Sequence, residues 1–461
     1  MKERILKTLT ELRTYALQKS CDIAIDYNEE DSQLMRFANS AISLNTNEHL
    51  VHIDITAQEG RKRASYGLIT NLDQLDDIKS GIDTAAEMVV HAQPLGYDPT
   101  MPVFKESFSD ENAFDAALAA MTNEDKLAYF NAAVKSLETE EIKLSGIFSS
   151  GENILAQINT RSEHTQFFRS SDAQVTVVLA HASLKWEITA EQSAQARSAL
   201  DPNVLRDELV FLLDCYQHSA PTQLPLGHYD IVFGSAALAD LLSIMNWIGI
   251  GGGAMKRGFS MIAEESVGKK VLSDKFTLVD DPSRLETFPF RRDFMGMPRS
   301  LFPFFTKGVF QGFAWFQDDA DEYGAQPTGH TVPHKSLVLQ GGEADVPSLE
   351  ALAKQPRTKD ILYIPFLHYM NIVNPTKGLI TGSSRFGALL LKPDGSVVVP
   401  YNVRLTQSLL DIFGEKVAWL SRQTVAYNTS VSYGTRNPTA LIVPRFMQVN
   451  DLEISHSNSS Y

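Results

Sequence analysis

The sequence predicts an α+β protein with a small N-terminal helix and antiparallel-sheet domain, a middle α+β region and a large strand-rich C-terminal domain. Three observations predict it. Apolar residues recur at helical spacing in a few separate segments, and short alternating runs cluster between those segments without alternating with them one for one. Two connectors rich in Pro and Gly then interrupt the pattern. The divisions they suggest are 1–100, 101–222 and 223–461, and a chain of 461 residues is too long for one typical domain.

The elements follow in order. Ile5, Leu9, Leu12 and Ala16 predict an amphipathic helix over Lys2 to Lys19. Ile23, Ile25 and Tyr27, then Met35 and Phe37, then Val51, Ile53 and Ile55 read as half-buried strands. Turn chemistry is placed at Asn28 to Asp31 and at Asn45 to Asn47. Leu75, Ile78, Ile82 and Ala86 predict a second helix within Asp73 to His91, and Ala92 to Pro99 forms the first connector. A helical segment is expected over about Asn112 to Glu140, with Thr122 and Asp125 as a capping pair. Strands follow at Lys143 to Phe148, Ile154 to Asn159 and Gln174 to Ala180, and then a helix at Asn203 to His218. Beyond the connector Ala220 to Gly227 come a strand at Tyr229 to Phe233 and a helix at Ala236 to Ile248. Short strands and loops fill the remainder.

Composition bounds the function. Hydrophobic residues make up 43% and charged residues 21%, which is ordinary for a folded core. A formal charge of −15 excludes a broad nucleic-acid surface, since phosphate binding needs clustered cations; Arg61-Lys62-Arg63 is a short run on a strand end. Cys21 and Cys215 are the only cysteines, a usage that suits a reducing compartment. The charged N-terminus lacks a signal-peptide core, and no apolar run reaches membrane-span length, so the expectation is a cytoplasmic protein with no membrane partner.

The chemistry-bearing motifs mostly fail on inspection. None of the eleven histidines is followed by glutamate, so no His-Glu zinc motif exists. His330 and His334 have ligand spacing, but Pro333 between them forbids a helix interior. Asp318 to Gly324 hints at a calcium loop and lacks the later ligands. No Gly-x-Ser-x-Gly elbow occurs, and Cys215 sits on an apolar helix. Gly251-Gly252-Gly253 follows a helix where phosphate loops follow a strand. The triplet suits either close approach of an extended peptide or a plain tight turn.

One long stretch, from Asn246 through Gly251-Gly252-Gly253, Lys256-Arg257-Gly258-Phe259-Ser260 and Val267-Gly268-Lys269 to Asp280-Asp281-Pro282, resembles the C-terminal domain of the TldD/PmbA, or "modulator of DNA gyrase", family. Further landmarks of that family appear in order. They are Arg36-Phe37-Ala38-Asn39-Ser40 with Ile42, Lys307 to Phe313, Gln326 to His330, Ile372 to Thr376 and Gly387 to Gly395. The resemblance implies zinc peptidases acting on unfolded peptides, together with metal-free partners of the TldE/PmbA branch. In the active branch a His-Glu-x-x-x-His helix precedes the glycines. Here that helix reads Leu242 to Ile248, with Ser243 and Ile248 at about the histidine positions, and Thr429 to Gly434 holds no late cysteine. The segment after Pro375 also departs from the branch pattern.

The resemblance therefore implies a non-catalytic subunit that holds no metal or cofactor of its own. Zinc belongs to a TldD-like sibling that would pair with it, and the ligand is unfolded peptide. Candidate peptide-binding residues are Gly251, Gly252, Gly253, Lys256, Arg257 and Ser260; no catalytic residue is assigned. Two alternatives stay open: a self-sufficient peptide-binding homodimer, and a metallopeptidase with ligands such as His330, His334 and His368.

Overall fold

The computed structural model describes residues 1–20, 22–430 and 436–460. Cys21, and the Val431 to Gly434 part of the late segment, lie outside the described residues. Cys215 is buried and unbridged, and burial pushes its thiol up to about 11, as befits a core residue.

The chain begins with α1 (Lys2–Gln18), β1 (Asp22–Ala38), β2 (Ala41–Glu59), β3 (Lys62–Ile69) and α2 (Leu75–His91). It continues through β4 (Phe108–Ala113), α3 (Ala116–Ala119), α4 (Asn123–Val134), β5 (Ile142–Asn159), β6 (Gln166–His181), β7 (Glu187–Ala194) and α5 (Pro202–Gln217). α1 buries the expected Ile5, Leu9, Leu12 and Ala16. α4 opens on the expected capping box between Thr122 and Asp125.

Three expectations need correction. The polar stretches at 28–31 and 45–47 are not turns. β1 pairs with β2 on one side and β5 on the other along nearly its whole length, so its backbone is satisfied within the sheet. The reversal instead falls at Asn39 and Ser40, both at positive φ, as a tight hairpin requires. β5 is likewise one strand where two were expected, because β1 and β6 flank its polar middle. The expected helix over 112–140 starts as strand β4 and is then split into the single-turn α3 and the longer α4.

These strands form one sheet in the order β3-β2-β1-β5-β6-β4, with β7 added on β6. Strands from 1–100 and 101–222 thus lie in the same sheet, and the division near 100 is no sheet boundary. Nor is that connector loose: Gln58 donates to Pro99 O, Arg63 to Thr100 O, and Thr100 N to Asp321.

The remainder runs through β8 (Gly227–Gly234), α6 (Ser235–Ile248), α7 (Gly252–Lys256), β9 (Leu278–Asp280), β10 (Phe302–Thr306), β11 (Val309–Phe310), α8 (Gln317–Tyr323), β12 (Leu337–Leu339) and α9 (Leu349–Lys354). β13 (Ile361–Ile364), β14 (Phe366–Asn374), β15 (Leu379–Arg385), β16 (Leu389–Leu391), β17 (Val397–Val398), β18 (Val403–Ser408) and α10 (Leu409–Ile412) come next. β19 (Val417–Leu420), β20 (Thr424–Asn428), β21 (Ala440–Pro444) and β22 (Phe446–Ser457) finish it. One sheet runs β14-β15-β18-β22-β8-β13-β16-β17, with β19 on β22, and another runs β11-β10-β9-β12-β21-β20. The aromatic residues between 288 and 316 are mostly core: Phe304, Phe305 and Phe310 are fully buried in one cluster with α6 residues such as Leu242 and Met245. A second core joins the halves, packing Tyr129, Phe148, Trp186 and Leu209 with Val232, Tyr363 and Phe446. No helix among the described residues is long and apolar enough to cross a membrane.

Candidate functional site

α6 buries Leu238, Leu241, Leu242, Met245 and Ile248, so Ile248 faces the core. Helical spacing puts Ser243, Asn246 and Trp247 on the opposite face, where Trp247 is 70% exposed. Ser243 spends its hydroxyl on Ala239 O, 2.8 Å away.

The glycine triplet then makes a close crossing. Gly251 bridges to Ala314, and Gly252 N donates to Ala314 O at 2.8 Å. A Cβ on Gly252 would lie 2.4 Å from the Trp315 ring, and one on Gly253 would lie 2.2 Å from the Asp319 carboxylate. These two glycines let α7 press onto Trp315 and α8. Only Gly251 of the three opens on a cleft of about 470 Å³, lined also by Asn246, Trp247, Arg257, Phe259 and Lys335.

The sequence candidates divide accordingly. Gly251 and Arg257 line the cleft; Gly252, Gly253, Lys256 and Ser260 do not. Arg257 is held by Asp319 and Glu322 at 2.6 Å each, contacts that raise its pKa further. Lys256 pairs with Glu264 at 2.7 Å, and the Ser260 hydroxyl closes a local turn on Ile262. Asn246, Trp247, Phe259 and Lys335 were not anticipated as site residues. The signal for them was weak: they are single residues scattered around the glycine motif and the His330–His334 loop.

Beneath the cleft lies a buried charge centre. Asp280, on β9, accepts from Ser336 N at 2.6 Å and Arg299 Nη2 at 2.5 Å, and faces His330 Nε2 at 3.1 Å. Burial alone would raise its pKa, but the His330 hydrogen bond and the Arg299 charge outweigh it and hold the carboxyl at about 2. Thr328 Oγ1 accepts from Trp315 N and lies 2.7 Å from His330 Nδ1. Burial lowers the pKa of His330, and the adjacent Asp280 carboxylate opposes that shift.

His334 points its Nε2 at the Thr287 and Phe288 carbonyls, 3.1 and 3.0 Å away. Burial lowers its pKa to about 4, the two carbonyls opposing the shift. The unfolded chain takes up this proton near pH 6.5, the folded one only near 4, so stability present above 6.5 is lost as pH falls between those values. The ring edge reaches the cleft, and solvent screening trims the contribution to roughly 2 kcal/mol. Chemical denaturation at pH 7 and pH 4.5 should show His334→Gln losing less stability on acidification by about that amount; an unchanged difference would remove His334 from the acid response.

Among the described residues no three His, Cys, Asp or Glu side chains are grouped to hold a metal ion. His330 and His334 turn to separate partners, and His368 lines a different cleft with Tyr369, Ser383 and Arg385. They form no ligand set.

A family model described as the PmbA/TldA metallopeptidase C-terminal domain matches residues 226–456. Among solved structures the chain is similar to TldE from Thermococcus kodakarensis, with a TM-score of 0.81 at 15% identity, covering 97% of this chain and 100% of that one. It is also similar to a proposed modulator of a DNA gyrase from Thermotoga maritima, with a TM-score of 0.74 at 14% identity over 97% and 99%. Another such protein, from Bacteroides thetaiotaomicron, gives 0.71 at 16% identity over 97% and 98%. No curated protein matches the chain.

Proposed function

The chain belongs to the PmbA/TldD family of metallopeptidase-related proteins, and within it we propose a non-catalytic, peptide-binding subunit of the TldE/PmbA kind that works beside a zinc-bearing sibling. The observation that carries this reading is the cleft face of α6. Where the peptidase branch needs two histidines and a glutamate, this face offers Ser243, Asn246 and Trp247, and Asn246 is hydrogen-bonded to the Lys335 ammonium. Zinc binding needs neutral imidazole, thiolate or carboxylate donors, and a fixed cation repels it. The residues present therefore do not fit the metal.

What remains of the site is a groove. Its open backbone at Gly251 and exposed Trp247 and Phe259 suit an extended peptide, which gains main-chain hydrogen bonds along an edge and lodges side chains on apolar surface. Such a subunit completes a peptide cleft whose hydrolytic metal sits in the partner.

The reading is tested by elemental analysis and peptide cleavage on purified protein. We expect no stoichiometric zinc and no hydrolysis of an unfolded peptide by the chain alone, with cleavage on adding the zinc-bearing sibling from the same organism. About one zinc per chain with chelator-sensitive cleavage would sink it. Activity that is indifferent to this chain's presence would instead favour a separate binding protein.

A further inference from the structure

Lys335 sits at the floor of the cleft with 7% of its surface exposed. Its Nζ donates to Asn246 Oδ1 at 2.8 Å and stands 5.1 Å from the centre of the Phe316 ring, which compensates part of the charge. Among the described residues no carboxylate pairs with it. The acidic groups nearby are engaged elsewhere, Asp280 by Arg299 and His330, and Asp319 with Glu322 by Arg257. Burial lowers the ammonium to about 8, so it is mostly charged at neutral pH. Asp280 acts on it only through space and is already committed to Arg299, so the ammonium is buried with no carboxylate in direct contact, a costly arrangement in a chain whose net charge of −15 leaves no shortage of carboxylates.

We infer that Lys335 and Asn246 form a carboxylate-recognition subsite, which takes the C-terminal carboxylate of a peptide whose last side chain lies against Trp247 and Phe259. The inference rests on the peptide-binding reading above and adds which end of the peptide is held. After its bond to Asn246 the ammonium keeps two N–H donors, and the Asn246 amide nitrogen has no partner among the described residues. Together they can reach both oxygens of one carboxylate with charge-assisted hydrogen bonds. The mouth above them is aromatic, with Trp247 70% and Phe259 45% exposed, so an apolar terminal side chain has a surface to cover.

The probe is an N-terminally fluorescein-labelled pentapeptide ending in phenylalanine, read by fluorescence anisotropy. It is prepared as the free acid, as the C-terminal amide, and as an amide ending in glutamate. We expect the full-length protein to bind the free acid about tenfold more tightly than either amide, the effect of one charge-assisted contact. Lys335→Met should bring the acid down to the amide's affinity while leaving the amide unchanged, and Lys335→Arg should restore part of the preference. Retained amide binding by Lys335→Met also shows that its cleft is folded; loss of both forms would make Lys335 structural and overturn the subsite. Equal binding of acid and amide by the unaltered protein overturns the subsite while the peptide-binding reading stands. A glutamate amide as tight as the acid overturns the terminal assignment, and no binding of any probe overturns both readings.

Discussion

Gly252→Val is expected to destabilise the protein by about 3 kcal/mol, near the upper end for an overpacked interior site. The valine Cβ would enter the face of the Trp315 indole at 2.4 Å, closer than real contacts allow. The ring has little freedom to yield, because Trp315 N is tied to Thr328 Oγ1 at 2.8 Å and Ala314 is bridged to Gly251. Either α7 lifts from Trp315 or the indole swings out, and each course breaks packing around the fully buried Ile250. Gly251→Ala is the control. Its nearest neighbour would be Ala254 Cβ at 3.7 Å, an ordinary contact, so a change within about 0.5 kcal/mol is expected. Urea denaturation of both variants checks the pair, and a Gly252→Val protein as stable as its parent would return the whole triplet to the cleft. Gly251→Ala is therefore the variant with which to probe peptide binding at the triplet, since it alters the groove without unseating α7.

The places where the sequence was legible share one physical cause. Several landmarks that carried the resemblance sit at chain reversals: Asn39-Ser40 between β1 and β2, Lys307-Gly308 between β10 and β11, and Gly395 between β16 and β17, all at positive φ. Positive φ restricts residue choice strongly, so these positions keep a recognisable signature even where sheets of such different sequence superpose. Amphipathic helices were legible for a similar reason. α1, α2 and α5 each cover one face of a sheet, and a single face imposes a 3.6-residue period.

The long inner strands were not legible. β1 and β5 are flanked on both sides, and their polar residues serve contacts made far along the chain, such as Glu30 with Arg436 N and Asn153 with Arg436 O. Locally those residues look like turn formers. The cleft was half legible. Glycines at a close crossing announce themselves, but which glycine faces the groove depends on Trp315 and Asp319, more than sixty residues later. Lys335 and Asn246 meet across a still longer gap of 89 residues, and neither residue type signals a buried pair.

Arg299→Met should cost about 3–5 kcal/mol at pH 7, the usual penalty for removing one member of a buried ion pair. Arg299 has 2% of its side chain exposed and Asp280 has 1%, so methionine fills much of the volume but leaves a carboxylate with no cation beside it. The lost contact from Arg299 Nη1 to Phe290 O, 2.6 Å in length, adds a second orphaned acceptor. The pH dependence separates charge from packing. In the parent, Asp280 stays ionised down to about pH 2 and contributes stability that is fully present above its unfolded pKa near 4 and lost as pH falls through 2. In Arg299→Met the burial that already pushes this carboxyl upward meets only His330 and Ser336 N. Its folded pKa then moves above the unfolded one, so the penalty is full at high pH and relieved as the acid becomes neutral. The stability gap between variant and parent should therefore narrow from pH 7 to pH 5, where a cavity alone would hold it constant. Adding Asp280→Asn to Arg299→Met should recover a large part of the loss at pH 7, since no buried charge is then left unpaired. A gap that stays constant with pH, and a double variant as unstable as the sum of its parts, would assign Arg299 to packing and remove the charge centre beneath the cleft as a source of stability.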